Sequence, residues 1–183
     1  MRQCLTADHA QWRFHRLTQC ITKPAQRFEI QIKLVGKGLY LHKIPGRNGP
    51  EMRSRVGHRM PLARTGIGKA MLLDAPVGEW RRLYEASHSL TEKNPLWPDH
   101  EEVSWEQFEA RMRGYVAGGY AFDLEDNEPS IRCVAAPIRD ASRQIVAAIS
   151  IASTVPYMSL EKMTGLIPVI THAAQQISAE LGG

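Results

Sequence analysis

The chain has 183 residues, of which 43% are hydrophobic and 23% charged, with a formal net charge of +4. This length and apolar content suit one domain with a core of its own and exclude a disordered chain. No apolar run approaches the roughly 18 residues that would span a bilayer, and the N-terminus lacks the basic, apolar and small-residue order of a secretion signal.

The positive charge is scattered. Small basic clusters at Arg53–Arg55 and Arg111–Arg113 are answered by Glu125, Asp126 and Glu128, so composition does not mark a nucleic-acid groove. The cysteines are Cys4, Cys20 and Cys133. An odd number with no paired spacing argues against a disulfide framework and for a reducing, cytoplasmic setting. Cys4 and Cys20 are too far apart for a CxxC metal site.

Residues 3–21 read as a helix with Leu5, Trp12, Leu17 and Ile21 loosely on one face, stopped by Pro24. Polar and apolar residues alternate from Glu29 to Val35 and again from Leu39 to Ile44, around Gly36-Lys37-Gly38. That is the pattern of two half-buried strands and a turn. Met52–Val56 is a third strand candidate. Residues 66–75 suit a helix capped by Thr65 and ended before Pro76. A short helix follows, burying Trp80, Leu83 and Tyr84, and Leu90–His100 reads as loop.

Ser104-Trp105-Glu106-Gln107 is a capping-box pattern. The helix behind it should bury Phe108, Met112, Tyr115 and Val116 and end at Gly118-Gly119. Residues 131–138 form a strand, Asp140–Arg143 a turn, and the nearly all-apolar 144–151 a central strand. A last helix carries Leu166, Val169, Ile170, Ala173, Ala174, Ile177 and Leu181 on one stripe, with Gly182 past its end. Strands joined by tight turns and flanked by helices predict an α+β fold with a largely antiparallel sheet.

Three blocks carry a family resemblance. The first is Gly57-His58-Arg59-Met60-Pro61-Leu62, leading into Thr65-Gly66-Ile67-Gly68-Lys69-Ala70. The second is Gly119-Tyr120-Ala121-Phe122-Asp123-Leu124-Glu125-Asp126 with Cys133-Val134-Ala135-Ala136-Pro137, and the third is Val146–Ile151. In order and spacing they resemble the C-terminal effector-binding domain of IclR-family transcriptional regulators, over roughly residues 30–182. The resemblance implies a GAF-like (profilin-like) fold with a ligand pocket between sheet and loops. It implies a connector helix and linker at 1–27 and an effector-binding domain at 28–183, with the winged helix-turn-helix DNA-binding domain of such regulators absent from this chain.

Site residues follow from the resemblance. Gly66 and Ile67 would grip a ligand carboxylate through backbone N–H groups. Asp123 would accept hydrogen bonds from a ligand hydroxyl, Cys133 would form part of the pocket wall, and Ser150 would hydrogen-bond the ligand. Met52, Met60 and Ile131 would supply the apolar wall. The family pattern often repeats a serine where this chain has Ala152, on the same face as Ser150. Arg64 departs from the pattern, either as a bidentate carboxylate clamp or as a solvent-facing side chain. Glu125, Asp126 and Glu128 read as a solvated loop face or as the holders of a stray cation.

A phosphate-binding P-loop does not fit, because Ala63 stands where that motif needs glycine. His58 and His172 lack ligand-spaced partners, so no metal or other cofactor is expected. The implied function is small-organic-acid sensing by a homodimer or homotetramer, without enzymatic activity and without contact to a membrane. Two rival readings are a thiol-dependent redox enzyme of GAF-like fold using Cys133, and a ligand-free oligomerisation domain.

Overall fold

A computed structural model describes residues 27–34, 37–44, 53–91 and 103–183. The chain order is β1 (Arg27–Leu34), β2 (Lys37–Ile44), β3 (Arg59–Pro61), α1 (Gly66–Ala70), α2 (Val77–Thr91), α3 (Trp105–Gly118), β4 (Ala121–Leu124), β5 (Ile131–Arg139), β6 (Ile145–Thr154) and α4 (Leu160–Glu180). The six strands form one sheet in the order β3-β2-β1-β6-β5-β4. Every neighbouring pair is antiparallel. The fold is α+β, as the alternating strands and tight turns predict. No described helix is long and apolar enough to cross a membrane.

Local chemistry accounts for most element ends. The capping box is present in full: Gln107 N–H donates to Ser104 Oγ, and Ser104 N–H donates to Gln107 Oε1. Gly119 closes α3 at φ 70°, a left-handed position where a β-carbon is unfavourable. The β5–β6 turn is held by Asp140, whose Oδ1 accepts the N–H groups of Ser142 and Gln144. That turn fixes the register in which Cys133 faces Ala152 and Ala135 faces Ser150.

Several expectations are corrected. Residues 53–56 lie outside any strand; the third strand is Arg59–Pro61, where β2 offers its free edge. Helix α1 ends at Ala70, since Met71–Asp74 turn rather than continue. Helix α2 is longer than the short helix expected, and it runs through Leu90 and Thr91 into the segment read as loop. Its start packs inward through Trp80, whose indole N–H donates to the Leu72 carbonyl at 2.7 Å. Val116 and Val169 are exposed, so the inward stripes of α3 and α4 are narrower than their apolar content suggests. The helix at 3–21, Cys4, Cys20 and Met52 lie outside the described residues.

Strand register sorts the sheet into two faces, because partners across strands and residues two apart share a side. One face presents Val134, Ala136, Ile138, Ala147, Ile149 and Ile151, all buried. Helix α4 packs against β5 and β6, bringing Met163, Ile170, Ala173, Ala174 and Ile177 into the core. The other face presents Asp123, Cys133, Ala135, Ser150 and Ala152. There α1 lies across β4, β5, β6 and β1.

Candidate functional site

Helix α1 is positioned from its first residue. Thr65 Oγ1 accepts the Gly68 N–H at 3.0 Å, and the Thr65 carbonyl accepts the Lys69 N–H at 2.9 Å. Close approach explains both glycines. A β-carbon on Gly66 would lie 2.5 Å from Cys133 Sγ and 2.9 Å from the Asp123 nitrogen; one on Gly68 would lie 2.2 Å from the Leu62 carbonyl oxygen. Gly66 therefore lets the helix start rest directly on β4 and β5. Among the described residues, nothing takes the backbone N–H groups of Gly66 and Ile67.

Beneath this helix the register aligns the polar residues. Asp123 on β4 faces Cys133 on β5, which faces Ala152 on β6. One row along, Ala135 faces Ser150. The expected site residues Gly66, Ile67, Asp123, Cys133 and Ser150 are thus brought together. Ile131 opens β5 on the same face, opposite Thr154. Met60 sits on the edge strand β3, on the same face by its pairing through Gly38, and both Met60 and Ile131 are half-buried. Ser153 pairs with Arg132 on the opposite face, so it does not replace the missing hydroxyl at Ala152.

The Ser150 hydroxyl is the anomaly of this face. The residue is 1% exposed, and among the described residues its Oγ has no hydrogen-bond partner. A buried hydroxyl left unpaired costs about 1–3 kcal/mol, and native structures leave few such groups without cause. Ser178, also buried, on α4, shows the ordinary case. Its Oγ donates to the Ala174 carbonyl and accepts the Arg139 N–H.

Buried ions join the site from the side. Lys69 is 1% exposed, and its Nζ donates to the Phe122 carbonyl at 3.1 Å and to Asp126 Oδ2. Asp126 Oδ1 accepts from Arg111 of α3 at 3.0 Å, and the Asp126 N–H donates to Asp123 Oδ1 at 2.8 Å. The expectation of a solvated acidic loop therefore fails at Asp126, whose side chain is 10% exposed and serves two cations. Glu125 is held at φ 73° and accepts from Arg132 and from the Ser130 N–H. Arg64 is 8% exposed and donates from Nε to the Asp126 carbonyl at 3.2 Å, which corrects its solvent-facing alternative.

These charges displace one another's titration. Burial pushes Lys69 down, but Asp126 and Asp123 beside it outweigh that and hold it above its ordinary value. Burial also works against ionised Asp126, yet the charges of Lys69 and Arg111 bring it below the usual carboxylate range. Asp123 is pushed up to about 7 by burial, and the neighbouring Asp126 adds to this. Lys69 and the N–H groups of Asp126 and Asn127 pull the other way. Burial is the first cause lifting Tyr115, on α3, to about 12.

Sequence reading missed Lys69 as more than part of a helix entry. Its signal was position: it is the only charged residue between Thr65 and Leu73, so burying this segment takes a lysine with it. A separate cleft of about 600 Å³ opens on the other side of the molecule, lined by Gly118, Pro137, Arg139, Thr171, Gln175 and Ser178 among others. It contains none of the expected site residues. Its Thr171 and Ser178 hydroxyls are already bonded to helix carbonyls.

Comparison with known proteins identifies the family. The family described as "Bacterial transcriptional regulator IclR C-terminal" matches residues 17–179. The chain belongs to the IclR family. It is 30% identical over 151 residues to the HTH-type transcriptional regulator KdgR of Escherichia coli, covering 79% of this chain and 53% of that protein. The crystal structure of the Thermotoga maritima IclR superposes with a TM-score of 0.79 at 26% identity, over 95% of this chain and 69% of that one. The C-terminal domain of E. coli KdgR shares the fold, with a TM-score of 0.68 at 24% identity over 97% and 96% of the two chains. The chain spans about half the length of the curated relatives it matches. Those IclR-family relatives are named as regulators and repressors of transcription.

Proposed function

We propose that this IclR-type domain senses a small organic acid and passes its occupancy to DNA binding in the regulator. In this reading residues 28–183 form the sensing unit, and residues 1–27 link it to a winged helix-turn-helix domain. The ligand carboxylate meets the N–H groups of Gly66 and Ile67. Its hydroxyl or oxo oxygen meets Asp123 and Ser150, with Cys133 at the wall. Its apolar edge meets Met52, Met60 and Ile131.

The observation that carries this reading is the Ser150 hydroxyl, buried without a partner on the face that α1 covers. A ligand oxygen reaching this hydroxyl would offset that cost. The N–H groups of Gly66 and Ile67, untaken among the described residues, support the same reading. A sensor then acts through its oligomer: the acid shifts the arrangement of paired domains by the difference in its affinity for the two arrangements.

Thermal unfolding against a panel of small carboxylic acids tests the proposal. At a hundredfold excess over its dissociation constant, a true effector adds about 2.7 kcal/mol of stability. That corresponds to a rise of several degrees, and Ser150→Ala should reduce it. A flat response to every acid would sink the proposal and favour a ligand-free oligomerisation domain. Loss of a measurable redox turnover in Cys133→Ser would instead support the thiol-enzyme reading.

A further inference from the structure

Asp126 has two cations in direct contact, Lys69 and Arg111. Asp123, three residues earlier and 4% exposed, has none within ion-pair distance among the described residues. It is held by the Asp126 N–H, and it lies under α1 opposite Cys133. Two buried carboxylates therefore compete for one buried lysine, and the geometry gives that lysine to Asp126. A carboxyl in such a place keeps its proton more readily than one in water.

The two forms of Asp123 have opposite chemistry. The ionised carboxylate only accepts hydrogen bonds; the protonated acid also donates one. A ligand hydroxyl suits the first, and a ligand oxo or carboxylate oxygen suits the second. We propose that the buried Lys69–Asp126 pair is the specificity-setting device of this site: by taking the lysine from Asp123, it decides whether Asp123 accepts from or donates to the ligand, and so which ligand the site prefers. The ligand half of this inference rests on the sensor reading above; the control of Asp123 by its neighbours does not.

Among the described residues, the charged and titratable groups around Asp123 come from four elements. Lys69 comes from α1, Asp126 from the β4–β5 loop, Arg111 and Tyr115 from α3, and Cys133 from β5. Arg64 donates to the Asp126 carbonyl. Burial raises Asp123, Lys69 lowers it and Asp126 raises it further. Lys69 and Asp126 are positioning residues by this account, acting on the ligand through Asp123.

Carbon-13 NMR of the aspartate carboxyl groups tests this, with Asp123→Asn assigning the signal. The wild-type signal should titrate near neutral pH. Lys69→Met should make Asp123 bind its proton at least tenfold more tightly, and Asp126→Asn at least tenfold more weakly. Both variants break the same ion pair, so a merely structural role would not move the two titrations in opposite directions. Asp126→Asn is nearly isosteric and decides between the outcomes alone if Lys69→Met does not fold. A titration unmoved in Asp126→Asn, or moved the same way in both variants, overturns the inference. The matched pair 2-oxobutyrate and 2-hydroxybutyrate then reads the consequence. The ratio of their dissociation constants should change about tenfold between pH 6 and pH 8, with the oxo acid favoured at pH 6. A ratio independent of pH overturns the specificity role, whereas opposite titration shifts with no binding of any acid overturn the sensor reading and leave the control of Asp123 standing.

Discussion

The two faces of the sheet are buried to a similar degree and built from opposite materials. Under α4 the strands present Val134, Ala136, Ile138, Ile149 and Ile151, which need nothing but neighbours of the right shape. Under α1 they present Asp123, Cys133 and Ser150, with Lys69 and Asp126 alongside. Replacing a buried ion pair by well-packed apolar residues is often neutral or stabilising. The α1 face is therefore not the more stable solution for this sheet. Both faces feed one apolar core, to which the α1 side adds Leu62, Ile67, Ala70, Ala135 and Ala148, but only the α1 face also buries charge.

The widest gap between the faces should appear when one partner of the buried pair is lost. Lys69→Met leaves Asp126 with only Arg111, and urea unfolding should show a loss of about 3–5 kcal/mol. Adding Asp126→Asn to Lys69→Met should recover part of that loss, because Asp126 then no longer holds a buried charge short of a partner. On the apolar face, Ile149→Ala should cost about 2–5 kcal/mol through lost transfer energy and a residual cavity. No second substitution on the sheet should recover it without refilling the space. A double variant at 69 and 126 as damaged as Lys69→Met alone would erase the distinction.

The pH dependence separates the faces next. Asp123 holds its proton more tightly folded than unfolded, so its ionisation disfavours the fold as pH rises from about 4 towards 7. Asp123→Asn should therefore gain on the wild type across that window, by up to about 4 kcal/mol, and then hold a constant difference. Asp126 acts with the opposite sign and lower down: its stabilisation is present above the ordinary aspartate range and is lost as pH falls through it. A stability difference between wild type and Asp123→Asn that is flat from pH 4 to 8 would contradict this account.

The smallest effects compare two buried serines. Ser178→Ala removes two bonds and should cost about 1 kcal/mol. Ser150→Ala removes a hydroxyl that has no partner and should be neutral or stabilising by up to about 1 kcal/mol in ligand-free protein. Equal losses at both positions would mean that Ser150 is bonded in solution.

Much of this was legible in the chain. Alternation marked β1 and β2, and the apolar runs marked β5 and β6; the Ser104–Gln107 capping box marked the start of α3; and the apolar stripe marked α4. The expected residues Gly66, Ile67, Asp123, Cys133 and Ser150 do meet on one side of the sheet, because period-2 alternation fixes sides once register is known. The extent of α1 was less legible, because the chain turns at Met71 to bury Leu72 and Leu73, and no residue there forbids helix. The same holds for the edge strand β3, whose three residues are recruited by β2 rather than by their own pattern.

The sequence by itself determined the α+β class, the antiparallel hairpins and the family, since local periodicity, turn chemistry and three motif blocks are properties of the chain alone. Only the tertiary structure decided the fate of the charges. An aspartate in an acidic loop reads as solvated in sequence, because water is the default partner of any isolated charge. It becomes a buried counter-ion at Asp126, and a carboxyl near neutrality at Asp123, only once α1 delivers Lys69 from nearly sixty residues away. That meeting is set by the packing of α1 across β4 and β5, and no local pattern along the chain encodes it.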